Sequence, residues 1–234
     1  MTVLALEFSS AQRSVAVLDL REGGASSLPE EDGAPTKRRP PARMAEAVET
    51  GAGGANAFRL IDKALAGAGL AREQIEVVVV GLGPGSYTGI RVAISLAQGW
   101  QLARGIKLLG ISSADGLAAQ AQAEKMFGRV NVVLDAQRNE FYLASYETSA
   151  RGWEETRPLR IMSRAEILAR AGSGEIWVGP EVTRWLPQGK ILFPSAVTAG
   201  RLARGRNDFV SGDQLAPIYL RETSFVKATP PHGF

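Results

Sequence analysis

IEVVVVGLGPGSYTGIRVAISLAQGWQLARGIKLLGIS, residues 75–112, decides how this chain folds. Ile75–Val80 is an almost unbroken apolar, β-branched run, the pattern of a strand buried on both faces of a mostly parallel sheet. Gly81, Gly83, Pro84 and Gly85 break that run. Ser86 and Thr88 each offer a hydroxyl that can accept an unused amide hydrogen of a helix's first turn. Apolar residues then recur at helical spacing as far as Arg104, and Gly105 is a stop. Lys107–Ile111 reads as the next strand, returning parallel to the first across a long crossover. Within the helix Gly89, Ala93 and Ala97 form a ridge of small side chains that admits a close neighbour. That neighbour is either the sheet of the same lobe or a helix of another subunit.

Working outward, Val3–Phe8 and Ser14–Leu20 read as a hairpin. Arg21–Arg43 differs in kind: it holds Glu30-Glu31-Asp32, then Lys37-Arg38-Arg39 and Pro40-Pro41, and predicts a long exposed loop. Arg43–Thr50 reads as a third strand at an edge. Asn56–Gly67 reads as an amphipathic helix capped by Asn56, with Phe58, Ile61 and Leu65 on one face and Gly69 beyond its end. Ser113–Lys125 predicts an alanine-rich helix capped by Ser112 or Ser113. Val130–Leu134, a polar turn and Glu140–Tyr146 repeat the opening strand–turn–strand pattern, which suggests two lobes of related topology, 1–112 and 113–234. Ser163–Ala171 reads as a helix and Glu175–Val178 as a strand. Residues 188–209 show no clear period, and Pro217–Glu222 reads as a last strand.

Composition narrows the function. The chain has 234 residues, enough for two small cores. It contains no cysteine and one histidine, His232, so thiolate metal sites and disulfides are excluded and a Ser–His pair would need the chain terminus. The start lacks the basic and apolar regions of a signal peptide, and no apolar run is long enough to cross a bilayer; a cytoplasmic location is expected. A net charge of +3 without a dense basic stripe permits nucleic-acid contact but does not point to it.

The run from Gly81 to Ser112 resembles the central motif of the TsaB (YeaZ) family of bacterial tRNA-modification proteins. LALEFSS at Leu4–Ser10, VLDAQRNEFYLASYE at Val133–Glu147 and PIYLRE near the end are shorter matches. The resemblance implies an α/β, two-lobed actin-like and Hsp70-like fold with ribonuclease H-like lobes (the ASKHA class). It implies a non-catalytic subunit that binds a TsaD-like catalytic subunit and works with a TsaE-like ATPase. That assembly transfers a threonylcarbamoyl group to the adenosine beside the anticodon of tRNAs reading codons that begin with A. The expected interface is Phe58, Ile61, Leu65, Gly89, Ala93 and Ala97. A homodimer through the same surface is expected when no partner is present, with tRNA contacted indirectly and no membrane involved.

The same resemblance implies a candidate cleft for ATP or ADP with magnesium, made by Glu7, Gly83, Gly85, Ser86 and Asp135. A glycine turn entering a helix can present amides to a phosphate, or can simply permit the sharp turn. Glu7-Phe8 replaces the usual aspartate-threonine pair, and Phe8 cannot hydrogen-bond a phosphate. Where TsaD-like enzymes carry a histidine pair on one helix face, this chain has SSADGLAAQ, Ser112–Gln120. Gln137 and Asn139 also depart from the family pattern. The alternative function is an ATPase or phosphotransferase using Glu7 and Asp135 with magnesium.

Overall fold

Strand β1 (Thr2–Glu7) is buried along its whole length. It is flanked on one side by β2 (Gln12–Asp19) and β3 (Met44–Thr50), an antiparallel meander. On the other side β4 (Val77–Gly81) and β5 (Lys107–Ile111) add in parallel, giving the order β3-β2-β1-β4-β5. The computed structural model describes residues 1–20, 44–51, 56–171 and 174–220. The insertion Arg21–Arg43 and His232 lie outside the described residues.

A second sheet repeats this plan. β6 (Gly128–Asp135), β7 (Glu140–Ser149) and β8 (Gly152–Ser163) form the meander, and β9 (Ile176–Gly179) and β10 (Lys190–Ile191) add in parallel beyond β6. The orders, three antiparallel strands and then two parallel ones, are the same in both sheets. The recurrence seen at Val3 and Val130 therefore extends over five strands per lobe.

Helix α1 (Ala57–Ala68) is capped by Asn56, whose side chain accepts from the Arg59 amide at 3.1 Å, and Gly69 closes it in the left-handed conformation. Helix α2 (Tyr87–Arg104) is capped by Ser86 rather than Thr88 and ends at left-handed Gly105. Both lie on one face of the first sheet. There Leu60, Ile61, Ala64, Leu65, Ile90, Ala93 and Ala97 pack on Leu4, Leu6, Phe8, Val78 and Val80. Phe58 does not share that face: Ala57, Leu60, Ile61, Ala64, Leu65 and Ala68 are buried, while Phe58 is 59% exposed.

Helix α3 (Ser113–Ala123), capped by Ser112, leaves the first sheet and packs on the second, against Val130, Val132, Ala144 and Tyr146. Helix α4 (Arg164–Arg170) covers part of the other face of the second sheet through Ile167, with a reciprocal Ser163–Glu166 cap at its start. Helix α5 (Ala196–Leu202) crosses back. Its Ala196 and Ala199, with Ala203, fill the second face of the first sheet against Val3, Ala5, Ala16, Leu18, Val77 and Val79. The two sheets divide between β5 and β6, and α5, although it follows the second sheet along the chain, packs in the core of the first. The two exchanged helices touch each other between the sheets.

Two other expectations change. β8 is a twelve-residue strand that the sequence hides, since it is an edge strand and its middle, Glu154–Pro158, is exposed. Pro217–Leu220, the described part of the expected last strand, forms none. The edge strand β5 is met instead by an isolated bridge between Leu108 and Val210, and Ile218 donates its amide to Leu82 O at 2.9 Å.

Candidate functional site

Two features of the described residues could serve a function: a cleft between the sheets and the outer face of α2. The cleft, of about 650 Å³, lies where the turn after β1, the loop before α2, the turn after β6 and the residues after β9 meet. Ser9, Ser10, Arg13, Gly85, Ser86 and Tyr87 line its first-lobe side; Asp135, Gln137, Tyr142, Glu181 and Arg184 line the other. Of the five expected nucleotide residues, the structure brings Gly85, Ser86 and Asp135 to this cleft. Glu7 and Gly83 are not on its wall.

Glu7 is turned inward and only 2% exposed. One carboxylate oxygen accepts the Ser9 amide at 2.8 Å and the other accepts the Ser113 hydroxyl at 2.8 Å. Ser113 Oγ accepts the Gly83 amide at 3.1 Å, and Gly83 O accepts the Ser113 amide at 2.8 Å. Burial pushes the Glu7 carboxyl above its ordinary value, and hydrogen bonds from Ser9 and Ser113 pull against that rise. The carboxylate occupies space that only a glycine at 81 leaves, since a β-carbon there would stand 2.0 Å from Glu7 Oε2.

The donor set does not fit a metal–nucleotide held by the end of β1. Both Glu7 oxygens are engaged inside the fold, and Glu7 is not brought together with Asp135. Four amides of the loop and the first helical turn are engaged inside the fold as well: Leu82 donates to Ile111 O, Gly83 to Ser113 Oγ, Ser86 to Ser9 O and Gly89 to Ser86 Oγ. The glycines serve the turn. Gly85 has φ +150° and lies so close to Ser9 O that a β-carbon would stand 2.0 Å away. No group of three or more His, Cys, Asp or Glu side chains is placed to hold a metal among the described residues.

Besides the expected Asp135, the cleft's charged residues are Arg13, Glu181 and Arg184, which the sequence reading did not single out. Glu181 follows the Gly179-Pro180 turn, and burial pushes its carboxyl up; Arg184 opposes the rise and Asp135 adds to it. Asp135 accepts the Gln137 amide at 2.7 Å, within a turn where Gln137, Arg138 and Asn139 all adopt positive φ. The one local signal for Glu181 and Arg184 was the Gly-Pro break at a strand end, where the parallel strands of such sheets open onto a crevice.

The outer face of α2 is the second feature. The expected interface ridge of Gly89, Ala93 and Ala97 points the other way, into the first lobe's own core: Ala93 and Ala97 are fully buried, and a β-carbon on Gly89 would stand 2.0 Å from Phe8 O. Ile61 and Leu65 are buried in the same core. None of these five offers a direct contact surface, because Ile61, Leu65, Ala93 and Ala97 fill the core and Gly89 lies against Phe8 O; Phe58 alone of the expected six is exposed. The residues that α2 exposes include Tyr87, Thr88, Arg91, Val92, Ser95, Gly99 and Leu102. Tyr87, Thr88, Arg91, Val92, Ser95 and Leu96 line a shallow, mainly apolar groove. Tyr219 stacks on Tyr87 with ring centroids 5.2 Å apart, and the Arg91 guanidinium lies 4.3 Å from the Tyr87 centroid. Leu102 is 91% exposed at the far end of the helix.

The family model for TsaD, tRNA N6-adenosine threonylcarbamoyltransferase, matches residues 55–224. The tRNA threonylcarbamoyladenosine biosynthesis protein TsaB of Escherichia coli K12 is 29% identical over 190 residues, covering 73% of this chain and 81% of that protein. Its namesake in Haemophilus influenzae is 26% identical, covering 73% of this chain and 80% of that one. In fold the chain is similar to YeaZ from Pseudomonas aeruginosa, with a TM-score of 0.72 at 24% identity, covering 94% of this chain and 99% of that one.

Proposed function

Because the chain belongs to the family of the TsaD model, in its TsaB (YeaZ) branch, we propose that it serves tRNA threonylcarbamoyladenosine biosynthesis as a docking subunit without a reactive centre of its own. Its partner is a TsaD-type catalytic subunit, with a TsaE-like ATPase in the same assembly. The observation that carries this reading is the outer face of α2. An apolar groove is lined there by Tyr87, Val92 and Leu96, and Leu102 is exposed further along the same helix. Large side chains lie open there while the small ones are spent inside. Such an apolar groove, rimmed by polar groups, is the kind of surface that a partner covers.

The choice of partner rests on the family match, which spans both α1 and α2. A TsaD-type chain presents equivalent helices, so two like faces can pair about a pseudo-twofold axis. The same face pairs two copies of this chain when no partner is present. The withdrawal of Glu7 from the cleft supports a docking role over the ATPase alternative, which needed Glu7 and Asp135 on one metal.

Val92→Glu tests this. Val92 is 40% exposed, so the free chain keeps its stability to within about 0.5 kcal/mol. A carboxylate buried in the contact lowers affinity for a TsaD-type partner by about thirtyfold or more, the scale of an interface hot spot. Titration calorimetry or co-elution at wild-type affinity for Val92→Glu would sink the proposal.

A further inference from the structure

We infer that Glu7 is a positioning residue: through Ser113 it braces the loop from Gly83 to Ser86 and so sets where α2 begins. This places a carboxylate at the end of the first strand in a role opposite to that of a metal or phosphate ligand. Its importance for docking rests on the function proposed above; the brace itself does not.

The inference follows from direction and position. Glu7 ends β1 in the first sheet, Ser113 opens the helix that covers the second, and Gly83 lies in the loop between β4 and α2. One buried chain of hydrogen bonds joins all three: Gly83 N–H donates to Ser113 Oγ, and Ser113 O–H donates to Glu7 Oε2. Glu7 Oε1 takes the Ser9 amide, while Ser9 O takes the Ser86 amide at 2.7 Å. Glu7 therefore holds the loop at two points, through Ser113 at Gly83 and through Ser9 at Ser86, the residue that caps α2. The relay has one polarity. Ser113 Oγ already accepts from Gly83, so its proton must go to an acceptor, and a carboxylate oxygen is the one in reach. Ser113 is 1% exposed, so water does not substitute for a lost partner.

Phe8 and Ser9 continue the brace into the helix. Gly89 presses on Phe8 O so closely that no β-carbon fits. The turn that Glu7 anchors is thus the surface on which the first turn of α2 rests. Tyr87 and Thr88, which open the outer groove, belong to that same turn. A shift of the loop would move the groove relative to Val92 and Leu96.

Two variants of the full chain test this. Glu7→Gln keeps the shape but has one acceptor oxygen where the carboxylate offers two, so either the Ser113 hydroxyl or the Ser9 amide is left facing an NH2 group. Ser113→Ala removes the link and leaves the carboxylate in place. Each is expected to speed hydrogen exchange at the Gly83 amide by up to about tenfold, the upper end of what a buried neutral hydrogen bond is worth, while amides of β6 and β7 keep wild-type rates. Ser113→Ala keeps the test decisive if Glu7→Gln fails to fold. Unchanged exchange at Gly83 in Ser113→Ala overturns the brace. So does a magnesium titration in which the wild-type chain binds the ion and Glu7→Gln does not. Partner affinity is read separately in both variants. A loss that accompanies faster exchange extends the brace to docking. A wild-type chain that binds no TsaD-type partner defeats the proposed function and leaves the exchange result standing.

Discussion

The two long faces of α2 have opposite designs. The inner face carries the small residues Gly89, Ala93 and Ala97 beside Ile90 and Ile94, and is sealed; the outer face carries Tyr87, Val92 and Leu102 and is open. The reason is distance: the start of α2 lies against the backbone of Phe8, where a β-carbon on Gly89 would come within 2.0 Å of a carbonyl oxygen. At Gly89 the helix lies so close to the turn after β1 that no side chain fits, while Ile90 and Ile94 fill the core beside that line of contact. Small size here marks how near the neighbour is, not which neighbour it is.

That contrast can be broken most forcefully at Ala93. Ala93→Glu places an unpaired carboxylate in the core of the first lobe and should cost about 3 kcal/mol or more, unfolding the chain rather than merely blocking a contact. Its neighbour substitution Val92→Glu should leave the fold intact and remove the partner. If chemical denaturation showed the two variants equally stable, the assignment of inner and outer faces would be wrong.

A finer version uses two glycines of the same helix. Gly89→Ala forces its methyl against Phe8 O and should cost about 1–3 kcal/mol, as overpacking does. Gly99→Ala meets nothing within 4 Å and should stabilise the chain by about 1 kcal/mol, the helix-propensity difference. Thermal melts of the pair should move in opposite directions; shifts of the same sign would erase the distinction.

The smallest effect concerns charge rather than size. Asp115, near the start of α3, is held above its ordinary value by burial, with the Tyr146 hydroxyl, 2.8 Å away, and Arg206 opposing the rise. A carboxyl with a raised folded-state value binds its proton more tightly in the folded chain, so its contribution to stability falls as pH rises from the ordinary carboxylate range toward neutrality. Asp115→Asn removes that fall, so its urea midpoint relative to wild type should climb from mildly acid to neutral pH. A constant difference would show that Asp115 is not perturbed as its burial implies.

Local chemistry was readable along most of the chain. Asn56, Ser86, Ser112 and Ser163 cap helices because a short side-chain oxygen at a helix start reaches an amide whatever lies beyond it. β4 and β5 were readable because a strand covered on both faces carries an unbroken apolar run. β8 was not, because an edge strand can tolerate five consecutive exposed residues and loses its alternation. Helix α5 was missed because its packing residues are alanines and a glycine, with no large apolar period to detect.

What the amino-acid order determined by itself is therefore the set of elements, their caps and breaks, and the repetition of one strand plan in two halves. Those properties depend on interactions a few residues apart. Only the tertiary structure decided that α3 and α5 exchange sheets, that the glycine–alanine ridge faces inward, that Glu7 turns away from the cleft, and that Glu181 and Arg184 line it. Each of these depends on which surfaces meet after folding, and a periodic pattern defines a face without saying what will lie against it.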